Sequence, residues 1–319
     1  MVSKVTPNTM MSASRLPALM GLSKYRSPND ELTATISALK GEDWPDIGNE
    51  AMAWGNQLEP IILREAARRL ELTDLITEHP EPFFHRDFPL ACSLDGSADG
   101  RGQVLHTDPD AGIYVVGQDS IQLDGLGVLE AKLTSQPAED MPPLWRGPIQ
   151  LQAQMAILGA KWGCIATLYQ GTELRLFLFA PHEQTLGAIR SACDDFQHRL
   201  LHWKETGAVD FYPPQSSKDA DRMYPQSEPE SIVYLDDSAQ ELAMKILAAK
   251  VRIDQAEADR AEAEKKLKIL IGDANKAVAG NYLVSWPMRQ YKAVPAKTVP
   301  AKEAYSIRQS TLSIKEIRP

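Results

Sequence analysis

Gly127-Val128-Leu129-Glu130-Ala131-Lys132 is the stretch on which the fold turns. An apolar run without helix caps closes on an acid and a base two positions apart. In a strand, unlike a helix, positions i and i+2 share a face. Glu130 and Lys132 are therefore expected to leave the end of a buried strand together. A second carboxylate stands upstream in Ser93-Leu94-Asp95-Gly96, a turn where Gly96 permits tight backbone geometry, and strand pairing would bring Asp95 beside Glu130. Two carboxylates supply oxygen ligands for a hard divalent cation, with an ammonium on the same face. Each piece alone has a plainer reading, as an ion pair at a strand end or a turn-forming aspartate. The same Glu-x-Lys spacing recurs at Glu264-Lys265-Lys266, where it reads as a solvated helix face.

Working outward, Gln150-Leu151-Gln152-Ala153-Gln154 opens an otherwise apolar helix expected over Leu151 to Gly159. Gln150 and Gln154 share a face there, and their amides can orient a water or a phosphate oxygen; plain exposed surface is the competing reading. Phe83 to Leu133 reads as short β-rich pieces in a strongly bent sheet. Cys164 to Tyr169 and Leu174 to Phe179 read as a hairpin around Gln170-Gly171. After Pro181, the stripe Leu186, Ile189, Cys193, Phe196, Leu200 and Trp203 predicts a helix ending at Gly207.

Toward the N-terminus, Gly21 to Asp30 reads as a loop marked by Gly21 and Pro28, with a helix from Glu31. Leu58, Ile62, Ala66 and Leu70 predict an amphipathic helix over Asn56 to Leu72, with Glu59 in its first turn. Residues 1–212 are expected to form the main domain, 213–235 a Pro- and Ser-rich linker, and 236–272 a long helix with a four-and-three apolar seam broken by Arg260. Residues 273–319 are expected to form a small β-rich tail that includes Tyr282 to Trp286 and Ser310 to Ile314. The fold class is thus α/β (α+β).

Composition excludes several classes. At a net charge of −9 over 319 residues, bulk attraction to nucleic acid is excluded, so any such contact needs a local basic surface. Cys92, Cys164 and Cys193 lack the spacing of a disulfide framework or a zinc site. No apolar run approaches about 18 residues, and no secretory segment is seen at the start, so a cytosolic location is expected. The P-loop motif is absent, which excludes an ATP motor of that class.

Four blocks in order carry a resemblance: Ser12-Ala13-Ser14 with Gly21-Leu22-Ser23-Lys24-Tyr25; Ala53 to Glu59; Ala91 to Gly96; and Leu129 to Lys132 followed by the Gln-x-Gln helix. Over residues 12–205 the chain resembles the phage-type recombination exonucleases of the YqaJ and lambda-exonuclease group, within the PD-(D/E)xK nuclease superfamily. The resemblance implies a restriction-endonuclease-like core, a central mixed sheet flanked by helices. It makes Asp95, Glu130 and the Ala131 carbonyl ligands of Mg2+, with Mn2+ able to substitute. Lys132 would orient or deprotonate the attacking water. Gln150 would support the site with Gln152 beside it, and Glu59 would be a further acidic partner. Ser14 and Ser93 fall where the family grips a terminal 5′ phosphate. The family's phosphate-binding arginine is replaced here by Pro7, for which Lys4, Arg15 or Arg26 are the substitutes in reach.

By resemblance, the expected activity is Mg-dependent 5′ to 3′ hydrolysis of linear double-stranded DNA. It would leave single strands for an annealing recombinase in a phage-bearing bacterial cytoplasm. Members of the group that act processively are rings of three. Two alternatives stand beside this: a DNA endonuclease on the same fold, and a non-catalytic DNA-binding or assembly factor organised by the long helix.

Overall fold

The structure is a computed structural model and describes residues 6–42, 50–226, 228 and 230–288. The chain opens with strand β1 (Met11–Ser12), a 3-10 turn at Ala13–Arg15 and the short helix α1 (Leu16–Leu19). Helices α2 (Pro28–Leu39) and α3 (Glu50–Arg69) follow. Next come β2 (Thr73–Ile76), β3 (Phe83–Phe84), β4 (Leu90–Cys92), β5 (Gly96–His106), β6 (Ile113–Val115) and β7 (Ser120–Thr134). Helix α4 (Pro148–Leu158), strands β8 (Gly163–Tyr169) and β9 (Glu173–Phe179), and helices α5 (Glu183–Thr206) and α6 (Ser217–Met223) complete a compact unit that ends at Met223.

A six-stranded mixed sheet in the order β2-β5-β7-β8-β9-β6 forms the centre, with helices on both faces. Strand β7 runs antiparallel to β5 and parallel to β8. Alternation sends neighbours to opposite sides. Val128, Ile165 and Phe177 enter one apolar cluster with Leu151 and Met155 of α4 and Phe196 of α5. Leu129, Cys164 and Leu176 enter the other, with Leu63 and Ala66 of α3. Gly127 lies under Trp162, whose ring a Cβ would meet at 2.2 Å. Besides this, β1, β4 and β3 form a small three-stranded sheet.

Several expectations move. Helix α2 begins at Pro28, not Glu31: Ser27 caps it, Asp30 completes a capping box, and Pro28 takes the first helical position, where no N–H is needed. Helix α3 already spans Glu50, so Glu59 lies mid-helix rather than in a first turn. The first seven residues of α3 present little buried surface, so the apolar period becomes visible only from Leu58. The short pieces expected between Phe83 and Leu133 include two long strands, β5 with 11 residues and β7 with 15. Their internal glycines read as breaks, yet the ladder between them continues with a register shift at Arg101 to Gln103. The segment from 100 to 125 is the far half of this hairpin, and its β6 pairs parallel with β9 at the sheet edge.

Within the stretch read as linker, α6 packs onto the start of α2. Asp219 is buried and accepts from Ser27 Oγ at 2.6 Å and from Gln215 N at 3.0 Å, and Arg222 reaches Asp30 at 2.5 Å. The second unit holds α7 (Asp237–Ile271) and a hairpin of β10 (Lys276–Ala279) and β11 (Tyr282–Ser285). Asp236 caps α7, accepting from Ala239 N at 3.2 Å. The strand expected at Ser310 to Ile314 lies outside the described residues. All three cysteines are buried and free, and burial pushes the Cys92 and Cys193 thiols up to about 12. Among the described residues no helix is long and apolar enough to cross a membrane.

Candidate functional site

Strand pairing assembles the centre of the site. Gly96 faces Leu129 in the antiparallel β5–β7 ladder, so Asp95, one residue before β5, arrives at the level of Glu130. There its Oδ2 accepts a hydrogen bond from Ala131 N at 2.9 Å. A strand residue points its N–H and C=O to the same side. The Ala131 carbonyl therefore also leaves toward Asp95, where β5 has ended. Glu130 and Lys132 follow Val128 onto the face covered by α4. Glu130 is 1% exposed, and Lys132 Nζ donates to its Oε1.

Helix α4 meets these groups with two amides one turn apart. Gln150 Oε1 accepts from Lys132 Nζ at 3.2 Å, and Gln154 Nε2 donates to Glu130 Oε2 at 2.8 Å and to the Ser93 carbonyl at 3.2 Å. Lys132 thus bridges the strand and the helix, while Gln154 ties Glu130 to the turn that carries Asp95. Gln152, two positions from either, is turned the other way. Its amide donates to Ala180 O at 2.8 Å and accepts from His182 N at 2.8 Å, which fixes the entry to α5. The expectation that Gln152 stands beside Gln150 in the site is corrected: a helix places i and i+2 on different faces.

Electrostatics single out the same cluster. Burial and the nearby Glu130 charge raise the Asp95 carboxyl well above its ordinary value, and Glu59 adds to the rise against the pull of Lys132 and the Ala131 N–H. For Lys132, burial works against the ammonium, but Glu130, Asp95 and Glu59 outweigh it and hold its pKa above the ordinary value. Glu59, on half-buried α3 surface, is thus near enough for its charge to act on both. Three carboxylates and one ammonium leave excess negative charge in a confined place, which is the chemistry of a cation site.

The donor set fits a hard dication. Among the described residues no three His, Cys, Asp or Glu side chains converge on one point. A cation here would accordingly be held by Asp95, Glu130, the Ala131 carbonyl and water, an all-oxygen set suited to Mg2+ or Mn2+. Gln154 Oε1 is buried with no hydrogen-bond partner among the described residues, an acceptor that a bound water would satisfy.

The phosphate-side residues divide. Ser14 is exposed, with its Oγ 3.3 Å from Ser12 Oγ, and the Ser93 backbone is fixed by Gln154. Arg15 is corrected as a phosphate ligand. Its guanidinium is spent inside the fold, on Glu31 Oε2 at 2.5 Å, Glu31 O and Met10 O at 3.0 Å, and Thr35 Oγ1 at 2.7 Å. Arg26 reaches the other Glu31 oxygen at 2.7 Å and keeps 40% of its side chain exposed. Glu31, 1% exposed between two arginines, was not legible as a site organiser, because nothing in its local sequence marks burial. Lys4 lies outside the described residues.

The comparisons with known proteins come down to one domain and a set of distant structures. No curated protein matches the chain in sequence. Among solved structures it is similar to the alkaline exonuclease LHK-Exo from Laribacter hongkongensis, at 17% identity over 62% of this chain and 91% of that chain, TM-score 0.45. It is also similar to a phage related exonuclease from Haemophilus somnus 129PT, at 13% identity over 60% of this chain and 95% of that chain, TM-score 0.36. The profile of the YqaJ-like viral recombinase domain matches residues 7–161, a span that contains Asp95, Glu130, Lys132 and the glutamines of α4.

Proposed function

We propose that the chain is a metal-dependent exonuclease that hydrolyses phosphodiester bonds from the ends of linear double-stranded DNA, 5′ to 3′. The observation that carries this reading is the convergence of Asp95, Glu130 and Lys132 with Gln150 and Gln154 at one end of the central sheet, within the span that the recombinase-domain profile matches. Asp95, Glu130 and the Ala131 carbonyl would hold Mg2+, or Mn2+ in its place. The ion, when bound, neutralises charge on the scissile phosphate and lowers the pKa of coordinated water.

The protein's own groups divide the remaining work. Gln154 holds one Glu130 oxygen and leaves that carboxylate a fixed orientation. Lys132 Nζ, held between Glu130 and Gln150, is placed to orient the attacking water and stabilise it as it loses its proton. Against burial, the neighbouring Glu130, Asp95 and Glu59 charges hold its pKa above the ordinary lysine value. Glu59 supplies a third acidic group at the rim. Ser14 and Ser93 would contact the terminal phosphate without help from Arg15.

The product would be single-stranded DNA for an annealing recombinase in a phage-bearing bacterial cell. Resemblance to the group makes a ring of three copies the expected assembly. Magnesium-dependent digestion of a duplex labelled at either the 5′ or the 3′ end tests the polarity. Early release of the 5′ label as mononucleotide is expected, and early release of the 3′ label would reverse the direction.

A further inference from the structure

Helix α7 is 35 residues long and keeps an exposed apolar seam along most of its length: Leu242 is 59% exposed, Ile246 48% and Ile253 58%. Among the described residues, its neighbours in the same unit leave the seam open. Trp286, whose backbone N–H donates to Asn275 O at 2.9 Å, lies with its ring 5.6 Å from Lys268 Nζ and lines a shallow pocket with Ala261, Glu264, Lys265 and Ile269. Those positions lie off the four-and-three seam. The hairpin end thus covers the outer side of the helix and not the seam side.

We propose that this seam pairs antiparallel with α7 of a second copy of the chain. The inference is independent of the nuclease reading. Side-chain size sets the orientation first. When the two helices overlap along nearly their whole length, each large seam residue meets a small or matching one: Ile253 faces Ala256 of the second copy, Ile246 faces Ala263, and Leu267 faces Leu242. Arg260, the polar break in the seam, then faces Ala249. A parallel pair in register places Arg260 against Arg260 and alanine against alanine, which combines charge repulsion with a poorly filled core.

Charge complementarity gives the same answer. In the antiparallel pair Arg252 flanks the seam opposite Asp259 and Lys250 opposite Glu257, each contact occurring twice by two-fold symmetry, and only Lys245 and Lys266 meet as like charges. The parallel pair has one attractive combination, Arg252 with Glu257, against two repulsive ones, Lys245 with Lys250 and Asp259 with Glu264. Lys250, Arg252 and Glu257 have no ion-pair partner within the chain among the described residues, whereas Arg260, Glu262, Glu264, Lys265 and Lys266 pair along their own helix.

Disulfide trapping in the full chain tests the orientation, and the buried native cysteines do not interfere. A mixture of Leu242→Cys and Leu267→Cys chains is expected to give a covalent dimer under mild oxidation, while each variant alone gives none. Cross-linking of each variant with itself would establish parallel pairing and overturn the proposal. So would no cross-link in any sample, which would mean the seam is covered within its own chain or by another protein. Adding Arg252→Asp to both partners of the mixture should abolish the cross-link, and a further Asp259→Arg should restore it. An unaltered yield with Arg252→Asp would contradict the register.

Discussion

Glu130-Ala131-Lys132 and Glu264-Lys265-Lys266 have the same acid and base at the same spacing, and the protein uses them in opposite ways. In β7 the strand period puts Glu130 and Lys132 on one face, where the two side chains meet at 1% and 25% exposure and α4 closes over them. In α7 the helical period parts them. Glu264 pairs with Arg260 at 3.6 Å and Lys266 with Glu262 at 3.6 Å, all four roughly half exposed or more. Surface pairs of that kind contribute at most about 1 kcal/mol. The pair in β7 is far more shielded, with Glu130 buried, so each of its members governs what the other can do. Backbone period and burial, not the tripeptide, make a site.

The largest expected effect separates the two tripeptides directly. Lys132→Ala or Glu130→Gln should lower DNA cleavage by about a thousandfold or more, the scale lost when a preorganised charge-stabilising group is removed. Glu264→Gln and Lys266→Ala should leave cleavage unchanged. Nucleotide release from a linear duplex measures both, and equal losses in the two regions would erase the distinction.

Burial also distinguishes Arg15 from the surface arginines. Arg15→Ala withdraws one of the two cations from buried Glu31 and should destabilise the first unit by about 2–3 kcal/mol, below the full cost of stranding a buried charge because Arg26 remains. Urea unfolding reads it. Arg68, which pairs with Glu65 on the surface, should leave the unfolding midpoint nearly unchanged when replaced by alanine. If Arg15→Ala spared stability and instead abolished preference for a 5′-phosphorylated end, Arg15 would be a phosphate ligand after all.

A finer contrast lies within α4. Gln154→Ala should reduce cleavage about 10- to 100-fold and raise the magnesium concentration required, as loss of an orienting partner of a metal ligand does. Gln152→Ala should instead lower stability by about 1–3 kcal/mol, the cost of leaving Ala180 O and His182 N unpaired. Its cleavage rate in the folded state should hold. Magnesium titrations of the rate, paired with melting curves, distinguish the two, and a swap of these effects would reverse the roles given to the helix faces.

Much of the centre was legible because it rests on short-range periodicity. The apolar run into Glu130, the turn at Asp95 and the spacing of Gln150 and Gln154 all report faces that a two- or 3.6-residue period fixes. The Gln170-Gly171 hairpin and the Gly207 helix end were legible for the same reason. What escaped depends on contacts far apart in sequence. Glu31 is buried with Arg15 and Arg26 converging on it, and α6 joins the first unit through Asp219 meeting Ser27 and Arg222 meeting Asp30. The turns of α3 before Asn56 were hidden because they bury little, and β5 and β7 looked broken because their glycines serve a bulge and a close approach to Trp162 rather than turns.

Digestion of matched linear and closed-circular double-stranded DNA, with magnesium or with EDTA and with Lys132→Ala as control, tests the proposed chemistry most directly. Loss of the linear form alone, dependent on both magnesium and Lys132, is the predicted result. Cutting of the circle would make the protein an endonuclease, and cleavage that survives EDTA or Lys132→Ala would contradict the site built on Asp95, Glu130 and Lys132.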